Sequence, residues 1–336
     1  MHTREGKLDV ALVGLGWWGK AMVRALEGSD KMRLVTAVDI DPATAEFARG
    51  RGVGFTTDYD AALGDEAVEA VILCTPNALH TDQVARAARA QKHVYCEKPL
   101  ALKRREALAS VEICKANGVL LGVGHELRFK PPVLELAGML SSGELGTIMQ
   151  SEVTFSTDNL GDLPADHWRR SEAQAPCGPL TATAVHGLDL CVSVHGAAES
   201  VVASLRKMAG PAVDDSLSIL VHFKDGADAL ITSLSGSPFS ARFAVFGTKG
   251  WVQVSDKAHP EEPEGWILTK RMRGGRMESV ESPPVNLVQA SLEAFADAVC
   301  GRAPYPIAQQ DMIETIAILE AIVKSAASGR IEQVEG

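Results

Sequence analysis

Between residue 8 and about residue 124, short apolar runs alternate with stretches of helical periodicity. Residues 8–13, 33–38, 69–74, 93–96 and 119–123 are nearly unbroken in apolar character, the pattern of strands buried on both faces. Residues 20–27, 42–49, 79–90 and 104–117 space their apolar side chains as helices with one covered face do. That alternation predicts a doubly wound parallel sheet with helices on both sides. After Arg128 the pattern changes. Pro131 and Pro132 open a helix over 133–140, and strands with polar alternation follow at 147–155, 216–223, 229–234, 242–246 and 251–254. A run of strands predicts a mostly antiparallel open sheet, with a helix over 181–194 covering one face. Residues 286–299 and 309–325 read as closing helices, and 257–285, rich in Pro, Glu and Arg, as an exposed excursion. The expected domains are therefore an α/β domain over 1–126 and an α+β domain over 127–336, in keeping with about 150 residues per domain.

Charge narrows the partners. Lys and Arg total 33 against 43 Asp and Glu, a net charge of −10 with no basic block, which argues against nucleic acid and against an anionic membrane surface. The longest apolar stretches are about half the ~20 residues a membrane span needs. The polar start, residues 1–7, carries no export-signal pattern. Cys74, Cys96, Cys114, Cys177, Cys191 and Cys300 are scattered without a Cys-x-x-Cys pair, as small core residues are. The expectation is a reduced, cytoplasmic protein with no metal site.

Gly14-Leu15-Gly16-Trp17-Trp18-Gly19 fits G-x-G-x-x-G and follows the first apolar strand directly. The first glycine permits a tight turn, the second lets a pyrophosphate approach the backbone, and the third lets helix and strand pack closely. Free N–H groups at the start of the next helix then face the phosphates. Asp39 stands 20 residues beyond Gly19, at the end of the second strand. A carboxylate there accepts from the ribose hydroxyls and repels a 2′-phosphate. No Arg or Ser follows in Ile40-Asp41, so NAD is expected over NADP.

Two further segments, Cys74-Thr75-Pro76-Asn77-Ala78-Leu79-His80 and Cys96-Glu97-Lys98-Pro99, follow the fourth and fifth apparent strands and should line the same crevice. With Trp168-Arg169, His186 and Asp189, and Phe246-Gly247-Thr248-Lys249-Gly250, these elements resemble the Gfo/Idh/MocA oxidoreductases, the family of glucose–fructose oxidoreductase and inositol dehydrogenase. The resemblance spans about three-quarters of the chain. It implies cofactor contacts from Thr75, Pro76, Asn77, His80 and Glu97, and less directly from Arg128, Trp168 and Arg169. It puts Lys98 between nicotinamide and substrate and makes His186 the proton-transfer residue. Asp189 is implied as a substrate contact, and a homodimer or homotetramer as the assembly. An imidazole titrates near 6.5, which suits proton transfer at neutral pH.

One departure stands out. The family pattern often has an aspartate four residues before the histidine, and this chain has Ala182. Thr181 or Thr183 offers a hydroxyl there but not a charge, so Thr183 is a candidate substrate contact. The chain reads as an NAD(P)-dependent oxidoreductase acting on a hydroxyl or carbonyl of a sugar-like or polyhydroxylated molecule. Two rivals are a non-redox enzyme that retains NAD for transient oxidation, as glycosidases of this fold group do, and a catalytically inactive dinucleotide-binding sensor. His167 and His195 compete with His186, and His195, next to Gly196, reads as a helix cap.

Overall fold

The structure, a computed structural model, describes residues 6–158, 167–209, 214–260 and 262–335. It divides into two compact units, Met1–Glu126 with Asn286–Met312, and Leu127–Val285 with Ile313–Gly336.

The first unit runs β1 (Leu8–Val13), α1 (Trp17–Glu27), β2 (Met32–Val38), α2 (Ala45–Arg49), β3 (Gly54–Thr56), α3 (Tyr59–Gly64), β4 (Ala70–Leu73), α4 (His80–Arg89), β5 (His93–Cys96), α5 (Arg104–Ala116) and β6 (Leu121–Val123). Its six strands are all parallel, in the order β3-β2-β1-β4-β5-β6. Strands β1, β4 and β5 are buried at every position, which is why their sequences show no alternation. The order reverses between β1 and β4, so the ends of those two strands form the crevice where open α/β sheets take their ligands. The three residues of β3 and the short α3 carry too little periodicity to be read from sequence.

The second unit runs α6 (Pro131–Ser141), β7 (Ile148–Ser156), α7 (Val185–His195), β8 (Ala198–Arg206), β9 (Ser216–Phe223), β10 (Asp228–Leu234), β11 (Ser240–Gly247), β12 (Gly250–Asp256), β13 (Trp266–Met272) and β14 (Met277–Ser282). After α8 (Leu287–Val299), α9 (Gln309–Ser328) and β15 (Glu332–Gln333) complete the chain. The nine-stranded sheet has the order β14-β13-β12-β11-β7-β10-β9-β8-β15. Only β7 and β10 pair in parallel; every other neighbour is antiparallel. Helix α7 packs on β7 and β10. Where it crosses β7, a Cβ on Gly187 would meet Val153 Cγ1 at 2.4 Å, so only glycine lets the helix this close.

Two stretches differ from the sequence reading. Within the stretch expected as an excursion, Trp266–Met272 and Met277–Ser282 pair as the β13–β14 hairpin, anchored by Trp266, which is 1% exposed and donates its indole N–H to Asp256. Of the charged residues that suggested a loop, Glu278 and Glu281 lie on β14, a mostly exposed edge strand, where charge guards an open edge. The other difference is Asn286–Met312, which packs with the first unit rather than the second. Leu292, Phe295 and Ala296 of α8 join the core formed by Leu8, Val10, Leu12, Ile72 and Tyr95. The Tyr95 hydroxyl bonds Ser291 at 2.8 Å, and the Tyr95 and Phe295 rings meet edge to face. Nothing in local periodicity says which sheet a distant amphipathic helix will cover.

Candidate functional site

The three glycines of the first loop have three different environments. Gly14 has φ +96, and a Cβ there would meet the Cys74 carbonyl oxygen at 2.8 Å. A Cβ on Gly19 would sit 1.8 Å from the Gly14 carbonyl oxygen. The protein itself therefore requires glycine at the first and third positions. At Gly16 a Cβ would meet no protein atom within 4 Å, so packing does not explain that glycine. In nucleotide-binding loops, the second glycine lets a ligand approach the backbone. Gly16 caps α1, whose first turn holds no acidic side chain, leaving N–H groups suited to a diphosphate.

Asp39 follows β2 and accepts from the Leu15 N–H at 2.5 Å through Oδ2 and from the Asp41 N–H at 2.8 Å through Oδ1. Its carboxylate thus braces the glycine loop. Trp17 is half-exposed, and its ring lies 5.5 Å from that of Trp18.

Beyond β4, Pro76 precedes a short turn over Asn77–Leu79, and Asn77 is buried. His80 is fully buried, with Nδ1 2.9 Å from the Pro99 carbonyl and Nε2 3.0 Å from the Thr75 carbonyl. Burial pushes its pKa down against the pull of those carbonyls. The ring ties the two loops of the crevice together, so its reach to a cofactor is through the backbone it holds. Thr75 donates its hydroxyl to Gln83.

Glu97 follows β5 directly and is 5% exposed. Burial, then the Glu126 carboxylate, push its pKa up to about 8, while the Trp18 indole and the Lys98 charge pull it back. A Cβ on Gly124 would meet Glu97 Oε1 at 2.5 Å, so this glycine makes room for the carboxyl. Lys98, half-buried, follows with a cis peptide bond to Pro99, and its N–H donates to Glu97 Oε2. Glu126 and Gly124 were not singled out in sequence; their place just after β6 carried the only signal.

A carboxyl with a folded pKa above its unfolded one binds more protons when folded, so stability falls as pH rises from the ordinary carboxyl range to about 8. The slope is at most about 1.4 kcal/mol per pH unit. Glu97→Gln removes this titration, and its melting temperature should gain on the parent's between pH 5 and 8. Parallel melting curves across that range would mean Glu97 is ionised throughout.

In the second unit, Arg128 Nε and Nη2 each lie 2.7 Å from an oxygen of Asp189, which is 1% exposed. Asp189, read from sequence as a substrate contact, thus has both oxygens on a protein partner, and Arg128 is held by the helix that carries His186. Thr183 donates to the Pro179 carbonyl at 2.9 Å and pairs with the Ser233 hydroxyl at 2.7 Å. His186 is buried, in the first turn of α7. Trp168 and Arg169 lie on a short turn capped by His167, with the Arg169 guanidinium 5.3 Å from the Trp168 ring centre.

His195 does more than end its helix. Its Nε2 meets Ser151 Oγ and its Nδ1 meets Asp225 Oδ2, both at 2.8 Å. Ser151 is fully buried, so this serine–histidine–aspartate chain has no route to a substrate; it ties β7 and the β9–β10 turn to the end of α7. Among the described residues no group of three His, Cys, Asp or Glu is placed to hold a metal ion, and no helix is long and apolar enough to cross a membrane.

The chain matches known proteins along most of its length. Residues 8–125 match the oxidoreductase family with NAD-binding Rossmann fold, and residues 133–253 match the GFO/IDH/MocA C-terminal domain. The chain belongs to the Gfo/Idh/MocA oxidoreductase family. One family relative, 1,5-anhydro-D-fructose reductase of Ensifer adhaerens, is 27% identical over 95% of each chain. A putative NADPH-dependent oxidoreductase from Desulfitobacterium hafniense superimposes with a TM-score of 0.89 at 26% identity, covering 99% of both chains. GenD2 from gentamicin A biosynthesis, in complex with NAD, superimposes with a TM-score of 0.83 at 27% identity, covering 100% of this chain and 98% of that one. Both halves of this Gfo/Idh/MocA chain thus match, the parallel sheet and the mostly antiparallel one.

Proposed function

We propose that this oxidoreductase uses NAD to interconvert a secondary alcohol and its carbonyl on a sugar-like or polyhydroxylated small molecule. The observation that carries the reading is the Gly16 position, where glycine is demanded by no protein neighbour although Gly14 and Gly19 on either side of it are. NAD, when bound, supplies the hydride acceptor at its nicotinamide ring. The chain's own residues do the rest. The α1 N-terminus and the loop around Gly16 hold the diphosphate, Asp39 takes the ribose hydroxyls, and Asn77 and Glu97 orient the nicotinamide end. Lys98 hydrogen-bonds and polarises the reacting oxygen, and His186 takes the alcohol proton in oxidation and returns it in reduction. Arg128, Trp168 and Arg169 border the substrate side.

The preference for NAD over NADP rests on Asp39, whose carboxylate repels a 2′-phosphate. Asp39→Ala should weaken NAD more than NADP, as titration with each coenzyme would measure; an unchanged ratio would remove Asp39 from the ribose.

Absorbance of reduced nicotinamide, followed with a panel of cyclitols, aldoses, anhydrosugars and sugar acids, tests the activity. A net change with one panel class is expected. Turnover without net change would favour transient oxidation on a retained cofactor. Tight NAD binding without any turnover would make the protein a sensor.

The same reading puts the protein in the cytoplasm as a homodimer or homotetramer. Val202, Leu220 and Leu230 form an apolar row across β8, β9 and β10, with Leu230 43% exposed, and this row supports an interface between copies.

A further inference from the structure

The backbone around His186 is fixed from three directions inside its own unit. On the C-terminal side, Gly187 sits against Val153, where any side chain would collide, and Asp189 is clamped by Arg128. On the N-terminal side the chain makes one wide turn, Leu180–Ala184, in which the Val185 N–H reaches the Leu180 carbonyl five residues back. Turns of this width are rare and concentrate at functional sites.

Two side-chain hydrogen bonds tie this turn to its surroundings. In an ordinary helix the Thr183 N–H would serve the Pro179 carbonyl four residues back. Here the Thr183 hydroxyl donates to that carbonyl. A hydroxyl has one hydrogen, so toward Ser233 the same oxygen accepts. Ser233 lies on β10 and is fully buried. The chain of donors therefore runs from Ser233 to Thr183 to Pro179, from a rigid strand into the turn that precedes His186. Closing the turn to an ordinary helical register takes one residue out of it, about 100° of rotation for whatever is attached.

We infer that Thr183 and Ser233 are positioning residues for His186, whose ring direction is set by this hydroxyl chain from β10. The inference rests on the reading that His186 transfers the proton, and it gives Thr183 a role other than touching substrate. It also offers a reason why a chain with Ala182 in place of a carboxylate keeps its histidine aimed: hydroxyls on the neighbouring residue and strand take over the orienting task.

The test uses the full-length protein saturated with NAD. Nitrogen-15 imidazole spectra report the His186 ring, its signals identified by their loss in His186→Gln. Thr183→Val and Ser233→Ala should each displace both ring-nitrogen signals by more than a linewidth, whereas Thr183→Ser should leave them in place. Signals that superimpose on the parent's in Ser233→Ala and Thr183→Val overturn the inference. Should Thr183→Val fail to fold, Ser233→Ala, which deletes a single buried hydroxyl, decides alone. Failure of the proton-transfer reading shows separately, as unimpaired turnover of His186→Gln in the absorbance assay.

Discussion

Lys98→Met is expected to lower turnover by about 10² or more, the usual scale for losing an acid–base partner, while NAD affinity stays within a few-fold. The substitution is close in length and leaves the backbone contact intact, because it is the Lys98 N–H, not its side chain, that donates to Glu97. What disappears is the ammonium beside the reacting oxygen. It also pulls the Glu97 pKa down, so its loss moves Glu97 further toward the protonated form and keeps the coenzyme side uncharged there. Steady-state kinetics together with a coenzyme titration separate the two effects. Near-normal turnover on the true substrate would mean that Lys98 is not the polarising group. A parallel loss of NAD affinity would mean that it is chiefly a coenzyme anchor.

The second large effect comes from the glycine loop, where two substitutions of the same size should behave oppositely. Gly19→Ala drives a methyl into the Gly14 carbonyl, backbone against backbone, so α1 must retreat from the turn. Overpacking of this kind costs about 1–3 kcal/mol and more where backbone cannot yield, and NAD binding should vanish with the displaced helix end. Gly16→Ala meets no protein atom, so its melting temperature should match the parent's while NAD affinity falls at least about tenfold, about 1.4 kcal/mol. Calorimetric melts and an NAD titration on both variants read this directly. Intact NAD affinity in Gly16→Ala would remove the diphosphate from this loop and with it the proposed function.

The parallel sheet was legible in sequence because burial on both faces leaves continuous apolar runs, and β1 and β5 have the boundaries the pattern predicts; β9, in the other sheet, has its predicted boundaries because its burial alternates. The glycine spacing and Asp39 were legible for a related reason: they serve a local turn whose requirements repeat at fixed offsets. What sequence hides is chemistry set by residues brought together from afar. The high pKa of Glu97 comes from burial and from Glu126, and Gly124 leaves room for the carboxyl; both of those residues lie beyond the next helix. Asp189 resembles a substrate ligand until Arg128 is seen across from it, and His195 a simple cap until Ser151 and Asp225 are. The wide turn before His186 is likewise invisible to periodicity, since Leu180–Ala184 reads as ordinary helix.

Helix α8 completes the core of a sheet whose last strand ends more than 150 residues earlier. During synthesis the apolar side chains of Leu8, Ile72 and Tyr95 therefore emerge from the ribosome long before their cover does. A fragment ending at residue 126 would contain every strand of the coenzyme sheet and still lack its lid of Leu292 and Phe295, leaving a sticky surface open to aggregation. Expression of the coenzyme module alone thus calls for grafting residues 286–312 back on through a linker.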